Sequence, residues 1–374
     1  MRKKICIFIA VLLLLAYIAH TSADQTSVAY CVLSPQANAT ISEQSADEPT
    51  GVAGLAKLPA VLTLCYAVDR GLLAPDTIVS VGMRAAQIGG QTIFLKNGEQ
   101  VKAEELLRAA VMISAGDAIW ALMESAFGSE DVFLQNISLT LKEFGIDHPM
   151  QNALGANERF TCREIACMGC AALNSATFMK YCSCKYAVLE HPDGRKTEIA
   201  NANKLLTTLP GCVGLLTGSS KTDGYCGVFA CKRGNTTFVC AMSGAQNSKS
   251  RFELVTQLLE EAFAGYAINE IASANEPILE AYPVDGGDSE TVNLFTKESV
   301  SVLLKKSDGS PQQQFHLPEV LQAPLDPEFS VGSVTFAAPD GTILYELALY
   351  PEKSISATGF REILKRILIS YRNS

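Results

Sequence analysis

Helical periodicity runs through this sequence as far as about Gly265, stops there, and returns only at the C-terminal end. Before Gly265, residues 55–72, 104–127 and 132–144 read as helices, with a break in the second around Ser114-Ala115-Gly116-Asp117. Strand-like runs fall at 28–33, 214–216, 224–232 and 236–242. Ser250-Arg251-Phe252-Glu253 has the spacing of a capping box. It predicts a helix with Phe252, Val255, Leu259 and Phe263 on one face. Past Gly265, turns such as Asp285-Gly286-Gly287-Asp288 and Pro339-Asp340-Gly341 punctuate short β-rich runs, and 331–337 with 342–350 predicts a hairpin. At 374 residues the chain is about two to three usual domain lengths. The change of pattern divides it into a mixed domain, 24–265, and a small β-domain, 267–352.

Both ends stand apart from this body. Residues 1–23 read as an export signal, with Arg2, Lys3 and Lys4 ahead of an apolar core and small residues before Asp24. The other reading is a retained anchor, and either puts the body outside the cytoplasm. Removing the signal takes the formal net charge from -9 to -12. That sign argues against nucleic acid as a partner. No apolar run of transmembrane length follows the first twenty residues. With 48% hydrophobic and 18% charged residues, the body is a folded globule rather than a disordered chain. At the other end, 357–374 predicts a helix with Phe360, Ile363, Leu364, Ile367, Leu368 and Tyr371 at helical spacing among Arg361, Lys365, Arg366 and Arg372. A basic amphipathic helix of this kind lies on an anionic membrane surface, or docks on the β-domain.

Cysteine is unusually frequent. Cys6 leaves with the signal, so eleven of the twelve remain, an odd number. Only Cys167-x-x-Cys170 has the spacing of a zinc ligand pair, and it sits in a segment that reads as a small-residue helix. The expectation is buried thiols, with no metal and no cofactor.

Several strings resemble the low-molecular-weight penicillin-binding proteins that are serine D-Ala-D-Ala carboxypeptidases. They are Gly89-Gly90-Gln91 with Leu95-Lys96-Asn97-Gly98-Glu99; Gly128-Ser129-Glu130 with Phe133; Asn201 and Asn203 with Lys204-Leu205-Leu206; Gly224-Tyr225-Cys226; and Arg251-Phe252. They occur in the family's order across 28–350. The resemblance implies an α/β fold: a β-lactamase/transpeptidase-like domain, an antiparallel sheet flanked by helices. A small all-β domain and an amphipathic tail follow it. It implies action on peptidoglycan stem peptides at the outer face of the cytoplasmic membrane.

That family's chemistry needs three clusters in one cleft. A Ser-x-x-Lys supplies nucleophile and base. A Ser-x-Asn relays protons and holds the substrate amide. A Lys-Thr-Gly on an edge strand receives the substrate's carboxylate and pairs with its backbone. The corresponding positions here are Gly54-Leu55-Ala56-Lys57, Ser114-Ala115-Gly116 and Leu216-Thr217-Gly218. The nucleophile is Gly54, the amide position Gly116 and the cationic position Leu216. Lys57 and Ser114 remain as catalytic remnants, and Gly116, Leu216, Thr217 and Gly218 as the substrate-binding positions. No lysine in the chain has a serine three residues before it; Thr177 precedes Lys180 at that spacing, far from any family position. Pro59, two residues after Lys57, removes a donor early in the helix and shifts its expected start.

Three functions are compatible with these residues. The first is a pseudoenzyme that binds stem peptide or a cell-wall partner without hydrolysis. The second is an active carboxypeptidase using a non-standard nucleophile such as Thr50 or Thr63. The third is a membrane-tethered scaffold for wall proteins.

Overall fold

A computed structural model of the chain describes residues 28–274 and 276–359. The expected export signal lies outside the described residues, as does the expected tail helix from residue 360 onward. The helix does not begin at 357. Ala357 forms a β-bridge with Gly287, and the Thr358 N–H donates to Gly286 O at 2.7 Å. No helix among the described residues is long and apolar enough to cross a membrane.

The chain divides into two compact units. One contains Thr40–Lys232 and Thr237–Glu260 with the segment ending at Pro35; the other runs from Glu261 and includes Gln36–Ala39 and Arg233–Thr236. In the first, a five-stranded sheet has the order Ala39–Gln44, Ala29–Ser34, Thr236–Ala245, Gly224–Arg233, Cys212–Ser220. The second and third strands pair antiparallel, as do the last two, and Cys212–Ser220 is left as an edge. The architecture is therefore the α/β class that the sequence implied.

The helices explain their own positions. In Leu58–Asp69 every residue from Leu58 to Ala67 is buried, so it is a central helix rather than an amphipathic one. Pro59 sits in its first turn, where its missing N–H would have had no partner anyway. A 3-10 turn, Ala53–Lys57, precedes this helix, so Lys57 stands just before the α-helix and not inside it. Helices Ala103–Ile113 and Gly116–Phe127 flank the predicted break. Helix Cys162–Leu173 opens on a capping box: Glu164 N donates to Thr161 Oγ1 at 3.0 Å and Thr161 N to Glu164 Oε2 at 2.8 Å.

One predicted cap is displaced. Helix Ser248–Gly265 starts a turn earlier than the Ser250–Glu253 reading requires. Asn247 Oδ1 accepts from Ser250 N at 2.9 Å, and Ser250 Oγ accepts from Asn247 N at 3.3 Å. Glu253 instead faces Lys249 at 3.7 Å, an exposed pair four residues apart.

Among the described residues the second unit is β-rich after its helical start. A six-stranded sheet has the order Gln312–His316, Gly332–Ala337, Ile343–Pro351, Thr291–Phe295, Leu279–Asp285, Leu321–Gln322. A separate pair joins Tyr266–Ala272 to Val300–Lys305. The predicted hairpin is present, with Gly332 opposite Leu349 and Phe336 opposite Tyr345. Leu347 and Leu349 are buried while Ala348 between them is exposed, the alternation that a half-covered sheet imposes. Val334, Phe336, Leu347, Leu349, Leu294 and Ile355 belong to its core.

The eleven described cysteines form no disulfide. Among the described residues no group of three or more His, Cys, Asp or Glu side chains is placed to hold a metal ion.

Candidate functional site

The break between two apolar helices creates the first wall of the site. Helix Ala103–Ile113 ends at Ser114 in the left-handed conformation, φ 53° and ψ 43°. A non-glycine residue there costs about 1–2 kcal/mol. Ala115 is extended and Gly116 restarts the helix. The turn is held by Asp117, a buried carboxylate that accepts from Ile93 N (3.0 Å), Leu95 N (3.2 Å) and Ala118 N (2.9 Å). Burial nevertheless dominates and raises the Asp117 pKa, against the pull of those backbone donors. Gly116 N donates to Gln91 O at 2.8 Å, tying the same 91–95 loop to the helix start.

Lys57 reaches this wall from the 3-10 turn. Its Nζ donates to the Ser114 carbonyl oxygen at 3.0 Å. Burial lowers the Lys57 pKa, and Asp117 opposes this through its charge. Ser114 Oγ is buried and has no hydrogen-bond partner among the described residues, an orphan costing about 1–3 kcal/mol. The turn itself is pinned from two sides. Ala53 N donates to Asp223 Oδ2 at 3.2 Å. Gly155, at φ +67°, approaches so closely that an added Cβ would lie 2.2 Å from Ala56 O.

The edge strand supplies the opposite wall. A Cβ at Gly218 would lie 2.8 Å from Gly54 N and 3.1 Å from Leu55 N, so only glycine fits where this strand passes the turn. Arg251 is buried behind it and donates from Nη1 to Gly218 O (3.1 Å) and Cys226 O (3.0 Å). Its guanidinium lies 4.5 Å from the Phe252 ring centre and 5.5 Å from that of Tyr225. Burial lowers its pKa.

Between these walls is a cavity of about 610 Å³. Gly54, Lys57, Ser114, Thr217 and Gly218 all line it, so five of the seven sequence-derived positions meet in one place. The remaining two do not reach it. Gly116 is buried below the lining: its Cβ position faces Ile88 Cγ2 at 2.9 Å and Lys57 Nζ at 3.6 Å. Leu216, 2% exposed, is part of the hydrophobic core and opposes Val228 across the sheet. Its assignment as a substrate-binding position is therefore corrected, because an aliphatic side chain at that position gains more from the core than from solvent.

The candidate substitute nucleophiles Thr50 and Thr63 are also elsewhere, as is Thr177. Thr63 Oγ1 is buried and donates to Pro59 O within its own helix at 2.9 Å. Thr50 lies on a two-residue strand paired with Phe160, and Thr177 Oγ1 donates to Asp69 Oδ1 at 2.6 Å. None of the three lines the cavity. Conversely Gln91, Lys204, Tyr225 and Arg251 do line it. In the sequence these four carried meaning only as parts of landmark strings; no spacing rule singles them out as wall residues.

The sheet order, the central helix and a cleft between the first helix, the helix break and the edge strand define a β-lactamase/transpeptidase-like fold. Residues 17–247 match the family model described as D-alanyl-D-alanine carboxypeptidase, and residues 266–357 match that of the penicillin-binding protein 5 C-terminal domain. The chain belongs to the D-alanyl-D-alanine carboxypeptidase family. It is 26% identical over 331 residues to D-alanyl-D-alanine carboxypeptidase DacF of Bacillus subtilis, covering 87% of this chain and 85% of that one. It is 25% identical over 365 residues to DacC of Escherichia coli, covering 92% and 89%. Among solved structures, penicillin-binding protein 5 from Haemophilus influenzae superposes with a TM-score of 0.69 at 22% identity, covering 88% of this chain and 97% of that one.

Proposed function

We propose that the protein is a non-catalytic member of its family that binds peptidoglycan stem peptides, or a wall protein presenting similar chemistry. One observation carries this reading. The nucleophile position is Gly54, and no hydroxyl side chain replaces it on the turn, while Lys57, Ser114, Thr217 and Gly218 keep a cavity of about 610 Å³ lined with polar groups. Losing one member of a nucleophile–base unit can cost about 10⁶-fold in rate. The missing amide at Gly116 and missing cation at Leu216 each remove a further ~2–4 kcal/mol of transition-state stabilisation. Binding suffers less, since it draws on shape, the edge strand's backbone and Lys57. Isothermal calorimetry with pentapeptide muropeptides tests the ligand; absence of heat at millimolar concentration sinks it.

The active-enzyme alternative draws on the hydroxyl residues that line the cavity, Ser114, Thr217, Ser219, Tyr225 and Ser248, of which Ser114 is the one whose carbonyl oxygen Lys57 contacts. It requires D-alanine release from a diacyl-D-Ala-D-Ala tripeptide, abolished by Lys57→Ala. The basic start and apolar core of residues 1–23, and the basic amphipathic pattern of 360–374, support export and peripheral attachment to the outer face of the cytoplasmic membrane. Fractionation of cells carrying the chain with and without residues 360–374 checks the attachment. Equal membrane recovery of both would remove it.

A further inference from the structure

We propose that Cys212 and Cys231 are an oxidisable dithiol, converted to a disulfide by exchange with a low-molecular-weight disulfide. The proposal is independent of what the cavity binds. The two cysteines are direct cross-strand partners on the edge strand Cys212–Ser220 and its neighbour Gly224–Arg233. The ladder hydrogen bonds identify the kind of pair. Lys232 N donates to Gly211 O at 2.8 Å, while Cys212 N turns away to Leu209 O at 3.1 Å. The Cys212/Cys231 step is therefore a non-hydrogen-bonded antiparallel pair, a class whose Cα atoms stand about 4.5 Å apart in a regular ladder with side chains on one face. That separation lies within the roughly 4.4–6.8 Å span of disulfides. The register shift between Ala230 and Cys231 and the left-handed φ of +85° at Leu215 show that this end of the strand is already irregular. The pair can therefore adjust without disturbing a regular ladder.

The two thiols differ in a way that assigns their roles. Cys231 is fully buried and Cys212 is half-buried, so Cys212 is the sulfur an external reagent meets. The neighbouring Cys231 thiol, hydrogen-bonding to the Cys212 sulfur, does most to lower the Cys212 pKa against burial, and the Gly214 N–H acts in the same direction. Burial instead moves other thiols of the chain upward, Cys170 to about 12 and Cys226 to about 11. The Cys212 thiolate attacks one sulfur of the external disulfide, forming a mixed disulfide and expelling one thiolate. Cys231 then loses its proton to solvent and attacks the Cys212 sulfur, expelling the second. The protein gives up two electrons and two protons, and the reagent becomes two thiols. The product staples the open end of the hairpin whose first strand carries Thr217 and Gly218.

The full chain incubated with oxidised glutathione tests this. Two thiols are expected to disappear, and tryptic peptides 205–221 and 222–232 to become linked, with fragmentation assigning Cys231 rather than Cys226. Cys231→Ser is expected to stop at a single glutathione adduct on Cys212, and Cys212→Ser to give neither product. Retention of both thiols, or a link from Cys212 to Cys182, Cys184 or Cys226, overturns the proposal. The mapping of the unmodified chain needs no variant to fold, so the test stands even where Cys231→Ser does not.

Discussion

Gly54→Ser separates the loss of the nucleophile from the loss of its surroundings. A Cβ at position 54 would meet only Gly218 Cα, at 3.6 Å, an ordinary contact. The substitution should therefore change stability by no more than about 0.5 kcal/mol. Positions three apart in a 3-10 turn eclipse, so the new hydroxyl stands over the Lys57 side chain. Burial lowers the Lys57 pKa, which favours the neutral amine a base requires. Two deficits persist, at Gly116 and Leu216. At about 10²–10³-fold each, they hold acylation about 10⁴–10⁶-fold below that of a complete site.

Intact-protein mass spectrometry during incubation with benzylpenicillin reads each step. The natural chain should gain no adduct and Gly54→Ser should gain one slowly. Adding Gly116→Asn should recover about 10²–10³-fold, but only when Ile88→Ala accompanies it, because Ile88 Cγ2 lies 2.9 Å from the new Cβ. Equal adduct formation by the natural chain and Gly54→Ser would refute the reasoning. An adduct on the natural chain mapping to Ser114 would identify the surviving nucleophile instead.

Three further outcomes test the supports of the site. Asp117→Asn weakens the anchor of Ile93, Leu95 and Ala118 N–H and should cost about 2–3 kcal/mol in urea denaturation. Because burial raises the Asp117 pKa, its contribution is fullest below the ordinary aspartate value and declines as pH rises through the raised one; that acid-side slope should vanish in the variant. Gly155→Ala should lower stability by about 3 kcal/mol or more, through positive φ and a 2.2 Å collision with Ala56 O; an unchanged melting temperature would count against the close approach. Lys57→Met should stabilise by about 1 kcal/mol at neutral pH by removing a desolvated cation. Since burial lowers the Lys57 pKa, the cost of that cation fades as pH climbs from its folded value toward the ordinary lysine value, so the variant's advantage should shrink there, and an advantage that grows with pH would be fatal.

What could be read in advance follows the range of the interactions involved. The helix break at Ser114–Asp117 was legible because a polar, small-residue step interrupts two apolar helices. The 331–350 hairpin was legible because turn chemistry and period-two alternation are local signals. The cap of helix Ser248–Gly265 was misplaced because Asn247 and Ser250 satisfy the same reciprocal pattern one turn earlier, and asparagine caps at least as well as serine. Strands Ala39–Gln44 and Tyr186–Glu190 went unread: the first alternates weakly, and the second is mostly exposed and defined by its pairing with Lys196–Ala200. Within the site, the family resemblance pointed to Lys57, Ser114, Thr217 and Gly218, which line the cavity. It could not tell that Leu216 turns into the core, or that Arg251 grips the Gly218 carbonyl, because both depend on strand register across the edge.

The three departures from the family's pattern are physically unequal, and the inequality bears on how the site came to its present state. Gly54 leaves open space, so one substitution restores a side chain without displacing anything. At Gly116 the neighbourhood has closed: Ile88 occupies the space a side chain would need, and Lys57 Nζ stands 3.6 Å from the same point. At Leu216 the replacement is 2% exposed within the core, where an ammonium would be desolvated unless a partner were supplied. Reversal thus becomes harder from the nucleophile outward to the scaffold. Under the proposed non-catalytic reading, tight packing around two of the three positions is what a fold would accumulate while keeping its stability. The retention of Lys57, hydrogen-bonded at 3.0 Å to a strained Ser114 and costly to bury, is not explained by stability. A residue that opposes folding and yet lines the cavity is the position where selection for a bound ligand should be sought first.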